Sequence, residues 1–327
     1  MRREVLDNEL ENNQVFQGPE PENHAVKPTG FPAGLPVGLM AGKDELSERD
    51  HSIMVGLGQY PVLTARQISV LAGFTNIDRA QRRCLALHRK GLLGRMPYFS
   101  LTPGRAEFCY FLSNKGHQYL HLKSMDEEAS RVSRIKNGMF LNHLLLITQF
   151  WLSLQLGCRN HSLVRLDGFI PEFGHRNEKG KKPTTVKVLS PDPDEEFTLV
   201  SDAAFCMAGQ SRKRLFFLEI DRANGKVQSA SYRSFTSQVQ KYIWYMQGKS
   251  FGDYGKVFGY EFPNFQVVYV TTSETRIRTY QQALAALGDF QKFVLFTTFE
   301  KVTPETVLGK IWHPSRAEDG NLCSLVE

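Results

Sequence analysis

Between residues 79 and 105, every charged side chain is basic. The seven Lys and Arg side chains of this stretch are Arg79, Arg82, Arg83, Arg89, Lys90, Arg95 and Arg105. An apolar stripe runs through the first part of the stretch at helical spacing: Ala80, Cys84, Leu87 and Gly91. This pattern predicts a helix with one buried face and one basic face. Charges of a single sign repel each other unless an anion lies opposite, so phosphates are the expected counterpart.

The segments around the basic helix predict a small domain over residues 51–124. A first helix over residues 51–60 is followed by a second, which Thr64 begins in a capping box with Gln67. Thr75 or Asn76 caps the basic helix. A turn at residues 102–105 then predicts a hairpin, and a short helix ends near residue 122.

This order is that of a winged helix-turn-helix domain, in which the third helix enters the major groove and the hairpin contacts the DNA backbone. The seven basic residues are therefore the candidate DNA-binding residues. They could reach guanine edges or only phosphates. A winged helix that contacts another protein is the alternative.

Outside the first 50 residues, the charge and composition of the chain agree with a polyanionic partner. Residues 1–50 carry five basic and ten acidic side chains, a balance of −5, whereas the whole chain has a net charge of +6. Because prolines and glycines are dense between residues 18 and 42, residues 1–50 are predicted to be a disordered leader. No apolar run is long enough for a membrane span, and a cytoplasmic protein is expected. The five cysteines lack CxxC spacing, which argues against a zinc site.

Residues 125–312 predict a mixed α/β domain, and residues 313–327 a tail. An apolar helix comes first, and its His143 is expected to be a supporting core or hydrogen-bonded residue rather than a catalyst. Strands are predicted at residues 163–170, 197–207, 215–221, 266–272 and 293–297, with a polar loop at 173–196 and helices at 231–247 and 277–287. The fold class is therefore α+β, with the winged helix followed by a sheet that helices flank.

Two carboxylates in apolar strands are the candidate chemical centre. Asp202 and Glu219 would each lose hydration in such strands, and on neighbouring strands they would repel each other. A divalent cation removes both costs, and Mg²⁺ typically takes one or two carboxylates together with phosphate oxygens. Metal-assisted phosphodiester hydrolysis is the matching reaction class. The alternative is that Asp202 and Glu219 pair with Arg214 and Arg222.

The motifs that contain these carboxylates resemble those of restriction-endonuclease-like domains of the PD-(D/E)xK class. The resemblance implies that Asp202 and Glu219 bind metal and that Gln238 and Tyr242, at Gln-x-x-x-Tyr spacing, pack over the site. The class has a lysine two positions after the glutamate, where this chain has Asp221. Lys241 could reach back to replace it, or Asp221 could be a third metal ligand. Loss of hydrolysis is equally consistent with the substitution.

Residues 51–300 also resemble the replication-relaxation family of bacterial and plasmid proteins. The resemblance rests on the basic-helix domain, the helix with His143, the strand FFLEIDR and the helix with QKY. It implies a role in plasmid or mobile-element DNA replication, relaxation or mobilisation. The expected partner is double-stranded DNA, with a homodimer and replication or mobilisation proteins as further candidates. Two functions remain open: a Mg²⁺-dependent nickase, or a non-catalytic DNA-binding accessory or regulator.

Overall fold

A computed structural model describes most of the chain after residue 45. The described ranges are 46–98, 107–120, 138–173, 184–190, 195–222, 234–249, 251–285, 287, 292–316 and 321–326. They fall within one compact unit, Pro36–Glu327. Residues 1–45 of the predicted leader, the predicted turn at 102–105 and Arg105 lie outside these ranges. None of the helices in the described ranges meets the length and hydropathy that a membrane crossing requires.

Within the described residues, the N-terminal part contains four helices and a small antiparallel sheet. Its elements are α1 (Glu48–Gln59), β1 (Leu63–Thr64), α2 (Ala65–Leu71), α3 (Ile77–Arg89), β2 (Leu93–Tyr98), β3 (Glu107–Leu112) and α4 (Asn114–Tyr119). The strand order is β1-β3-β2, and β2 and β3 form the predicted hairpin. Helices and hairpin follow each other in the order that the sequence predicts.

Local capping explains where these helices begin. The side chains and backbones of Thr64 and Gln67 bond reciprocally, which is the predicted capping box. Asn76 caps α3 by accepting a hydrogen bond from the Asp78 amide at 2.7 Å. A second capping box, between Ser47 and Asp50, begins α1 three residues before the predicted start. The sequence interpretation had missed it, because residues 1–50 were assigned as a whole to the leader.

The stripe on α3 forms part of the N-terminal core. Ala80, Cys84 and Leu87 are buried against residues from α1 and α2. Gly91, the fourth predicted member, is exposed and follows the helix with a φ of +75°. Its role is thus to turn the chain out of the helix, in a backbone region that other residues enter at a cost.

The remaining described elements form a six-stranded sheet between helices and a separate two-stranded sheet. They are α5 (Gly138–Arg159), β4 (Arg165–Pro171), β5 (Thr185–Leu189), β6 (Glu196–Val200), β7 (Ala203–Ala208), β8 (Lys213–Ile220), α6 (Phe235–Gln247), α7 (Gly252–Phe258), β9 (Phe265–Thr271), α8 (Glu274–Ala285), β10 (Val294–Thr298) and β11 (His313–Pro314). The sheet order is β11-β10-β9-β8-β7-β4, and β5 pairs only with β6 among the described strands. Strands β8, β9 and β10 are parallel, and the other pairs are antiparallel.

Three predictions for this region are corrected by the structure. The strand predicted at 197–207 is two strands, because the chain breaks at Ser201 and Asp202 and β6 leaves to pair with β5. The predicted loop at 173–196 contains β5, and helix α7 was not predicted. The predicted tail contributes β11 and the buried side chain of Leu325 to the sheet domain.

Helix α5 packs against both halves of the molecule. Phe150 and Leu154 lie on one face of the sheet, whereas Leu152 lies in the N-terminal core. A polar contact adds to this packing, because Nε2 of Gln67 donates a hydrogen bond to Oε1 of Gln149 at 3.0 Å. The predicted boundary between residues 124 and 125 therefore does not separate two independent cores. The opposite face of the sheet is covered by α6, α7 and α8.

Candidate functional site

Asp202 occupies the break between β6 and β7, at the end of the sheet where β8 also ends. Its Oδ2 accepts a hydrogen bond from the Ile220 amide at 2.6 Å. Its Oδ1 lies 2.8 Å from Nε2 of His143, which α5 brings to the same end of the sheet. Burial by itself would lower the pKa of His143, but the hydrogen bond and the charge of Asp202 outweigh it and raise that pKa. The hydrogen bond fixes the position of the His143 ring beside Asp202.

Glu172 completes a cluster of three possible metal ligands at this position. It follows β4 directly, and its amide donates to the backbone oxygen of Asp202 at 2.8 Å. One ligand atom each from His143, Glu172 and Asp202 lies within 4.8 Å of the others. Two carboxylates and one imidazole are a donor set that fits a divalent cation such as Mn²⁺ or Mg²⁺. The sequence interpretation had treated His143 as supporting and had not included Glu172.

Two buried polar atoms next to the cluster fit an additional ligand. Nδ1 of His143 has no hydrogen-bond partner among the described residues, and neither has the hydroxyl of Tyr269. Tyr269 is directly opposite Glu219 in the register of β8 and β9. Buried polar groups are rarely left without partners, so such atoms mark places where an ion or water completes the structure.

Glu219 lies beside this cluster and is held by the two residues that the resemblance implied. Its Oε1 accepts from the Tyr242 hydroxyl at 2.6 Å and from Nε2 of Gln238 at 3.2 Å, both on α6. Burial raises the pKa of Glu219 well above its ordinary value, and the nearby charges of Asp202 and Glu172 add to that increase. The carboxylate is therefore costly when ionised and would gain from a cation nearby.

Asp221 and Lys241 have partners of their own. Oδ2 of Asp221 accepts from the Thr271 hydroxyl at 2.7 Å and from Nε of Arg276 at 3.1 Å. The ammonium of Lys241 donates to the Thr198 backbone oxygen at 3.4 Å, at the β5–β6 hairpin. The ion pair with Arg276 gives Asp221 a structural partner that the sequence interpretation lacked. Metal binding by Asp221 and water activation by Lys241 stay predictions.

Replacing Asp221 with alanine is expected to destabilise the protein by about 1–3 kcal/mol and to leave its cation response unchanged, because Arg276 and Thr271 lose their acceptor. Urea denaturation with and without Mn²⁺ measures both quantities. Asp221→Asn is the matched variant, since it retains an acceptor oxygen and should lose less stability. A variant that keeps its stability but no longer responds to Mn²⁺ would identify Asp221 as a metal ligand.

The predicted DNA-binding residues are mostly exposed on α3 and the hairpin. Arg79, Arg82, Arg89 and Arg95 are exposed, and Lys90 is partly buried. The guanidinium of Arg95 lies over the Phe108 ring, 4.6 Å from its centroid. Arg83 differs from the others, because its Nε donates to Oδ1 of Asp50 at 2.6 Å and its Nη2 contacts Oδ2 of the same residue. The side chain of Asp50 is fully buried, so Arg83 also has a structural role.

Together, the fold and this cluster define a mixed α/β protein that carries carboxylates and a histidine at one end of its sheet. The chain belongs to the replication-relaxation family, whose model matches residues 56–259. The match includes the last residues of α1, the N-terminal elements that follow it, the helix with His143 and the segments with Asp202 and Glu219.

Two solved structures of the restriction endonuclease FokI are similar to this chain. The structure bound to DNA is 11% identical and the other 10%, each with a TM-score of 0.27 over 78% of this chain. The chain spans 43% of the FokI chain in both cases. This likeness is too distant to assign a role to any residue. A search of curated proteins found no match.

Proposed function

We propose that the protein binds double-stranded DNA through a winged-helix domain formed by α1 to α4 and the β2–β3 hairpin. Helix α3 occupies the major groove, and the hairpin contacts the backbone with Arg95. The observation that carries the proposal is the exposed basic face of α3, opposite its buried stripe. Arg79 and Arg82 have no carboxylate partner among the described residues, so their charges are available to phosphates or base edges.

The double variant Arg79→Ala/Arg82→Ala is expected to bind duplex DNA roughly ten- to a hundredfold more weakly, with a flatter salt dependence, because two cationic contacts are lost. Fluorescence anisotropy at several salt concentrations measures both effects. Arg83 is retained in this variant, since its loss would leave Asp50 buried without a counter-charge. Arg278→Ala removes one exposed charge from α8 and serves as the control. Unchanged affinity in the double variant would contradict the assignment of α3 to the DNA interface.

We further propose that His143, Glu172, Asp202 and Glu219 hold a divalent metal ion. When bound, such an ion supplies Lewis-acid stabilisation of a phosphoryl oxygen and lowers the pKa of a bound water. The protein's own contribution is to fix His143 on α5, Glu219 on β8, Glu172 directly after β4 and Asp202 in the break between β6 and β7. Gln238 and Tyr242 orient Glu219, and the Ile220 amide orients Asp202. This arrangement supports metal-dependent cleavage of a DNA phosphodiester bond.

A non-catalytic DNA-binding accessory or regulator is the second candidate. It is favoured by one observation: Asp221, paired with Arg276, stands where the resemblance implies a lysine. Incubation of supercoiled plasmid with Mg²⁺ or Mn²⁺ separates the two candidates. Nicking that is present with the wild-type protein and lost with Glu219→Gln supports the nickase. Intact duplex binding without nicking under either metal supports the accessory.

The family supports a replication-related role in DNA processing, and we propose plasmid or mobile-element replication or mobilisation as the process. Replication or mobilisation proteins and a second copy of the chain are the proposed protein partners. A protein that binds duplex DNA and nicks it would act at the site where a plasmid strand is opened. Co-purification from cells that carry a plasmid, with and without nuclease treatment, tests whether such partners bind directly.

A further inference from the structure

An open cleft of about 580 Å³ lies between the first turn of α1 and the exposed face of α3. Four arginines line it: Arg49, Arg79, Arg82 and Arg83. Glu48 is the acidic residue in the lining, so the lining has an excess of three positive charges, one of which, on Arg83, is balanced by the buried Asp50. Such a concentration of like charge in a concave surface raises the local concentration of anions.

The arginines of the cleft differ in whether a carboxylate balances their charge. The guanidinium of Arg49 lies over the Phe74 ring, 5.3 Å from its centroid, an arrangement that stabilises a cation without neutralising it. Neither Arg49 nor Arg79 pairs with a carboxylate within the part of the chain that the structure describes. Arg83 is anchored by the buried Asp50. Arg49 and Arg79 therefore supply positive charge that the cleft can offer to an anion, and the Phe74 ring helps to position Arg49.

We propose that this cleft binds a phosphodiester group of the DNA strand that borders the groove occupied by α3, with Arg49 as its principal contact. The inference rests on the proposed duplex binding and extends it from α3 to α1. Arg79 and Arg82 line the cleft and also belong to the basic face of α3, so the two surfaces are continuous. A planar guanidinium can donate two parallel hydrogen bonds to a phosphate.

The openness of the cleft favours a polymer over a small anion. A site for a free small molecule usually encloses most of its ligand, whereas this cleft stays open to solvent beside α3. A DNA strand that passes through it would continue on both sides. Contacts with phosphates carry no sequence information, so Arg49 should add affinity without adding specificity.

Arg49→Ala is expected to weaken duplex binding roughly three- to tenfold, equally for unrelated sequences, and to reduce the salt slope by about one. Anisotropy titrations of the full chain with two duplexes of different sequence, at several salt concentrations, measure this. Arg278→Ala is the matched control for the loss of one exposed arginine, and thermal melting checks that both variants fold. Wild-type affinity in Arg49→Ala would overturn the inference.

Two further results separate this inference from the proposed function. If Arg79→Ala/Arg82→Ala weakens binding and Arg49→Ala does not, duplex binding by α3 stands and the cleft has no part in it. If neither variant weakens binding, both proposals fail. Calorimetry with deoxyadenosine monophosphate tests whether the cleft binds the phosphate of a free nucleotide instead of a DNA strand. Binding of that nucleotide that requires Arg49, with duplex affinity unchanged, would overturn the assignment to a DNA strand.

Discussion

Replacing Glu219 with glutamine is expected to raise the stability of the metal-free protein and to abolish most of the stabilisation that a divalent cation provides. Glutamine retains the Oε1 acceptor that Tyr242 and Gln238 use, so the local packing survives. The substitution removes the charge that burial and the neighbouring Asp202 make costly. A buried functional charge reduces stability in this way, and we expect its removal to add about 1 kcal/mol, within the range of single stabilising substitutions.

Chemical denaturation of the wild type and of Glu219→Gln, in a chelator and in Mn²⁺, measures both parts of this prediction. A cation at a concentration of about a hundred times its Kd stabilises a protein by about 2.7 kcal/mol, and the variant should lose most of this gain in stability. Glu261→Gln, at an exposed position, is the matched control and should change neither quantity. A variant that is less stable in chelator and equally responsive to Mn²⁺ would mean that Glu219 has a purely structural role.

The second large effect is expected at Asp50, which combines a helix cap with an ion pair. Its carboxylate accepts from the Ser47 amide at 2.9 Å and from Nε of Arg83 at 2.6 Å. Removing one partner of a buried pair costs about 3–5 kcal/mol. Because 41% of the Arg83 side chain is exposed, we expect Asp50→Ala to cost roughly 2–3 kcal/mol. Urea denaturation at neutral pH measures this loss.

The same residue predicts a dependence on acid pH. Burial by itself would raise the pKa of Asp50, but the hydrogen bonds from Arg83 and Ser47 outweigh it, and the pKa lies below its ordinary value. A lowered pKa gives stability that is present at neutral pH and is lost as the pH falls below ~4, through the pKa of the folded state. Asp50→Asn should lack this acid-dependent component.

Asp253→Ala, at an exposed pair with Lys256, is the control for Asp50→Ala and should cost less than about 1 kcal/mol of stability. Equal losses of stability in Asp50→Ala and Asp253→Ala would contradict the prediction.

The parts of the structure that the sequence predicts correctly depend on near neighbours in the chain. The capping box of Thr64 and Gln67 spans three residues, and the stripe of Ala80, Cys84 and Leu87 spans two turns. Both patterns act within one helix, so periodicity and spacing are enough to predict them. The strands with Asp202 and Glu219 were also predicted, although the break at Asp202 was not, because β6 pairs with β5 outside the main sheet.

The candidate site was predicted only in part, because its members come from distant segments. The resemblance to the PD-(D/E)xK class linked Glu219 to Gln238 and Tyr242, and the structure brings these three together. Glu172 has no motif around it and lies two residues after the predicted end of its strand at Ile170. The pair of Asp221 with Arg276 spans 55 residues, so no local pattern indicates it. A signal for Glu172 could have come from its position at a strand end opposite Asp202.

The basic helix and its apolar stripe follow from the sequence, because their residues lie close together along the chain, and the family follows from motifs spread over residues 51–300. Which charges are available depends on the tertiary structure. Arg83 and Asp221 are engaged by partners from other elements, whereas Arg49 and Arg79 converge on one cleft and His143 joins Asp202 and Glu172. The physical reason is that a charge acquires its partners through space, and the distances between segments are set by how the cores pack.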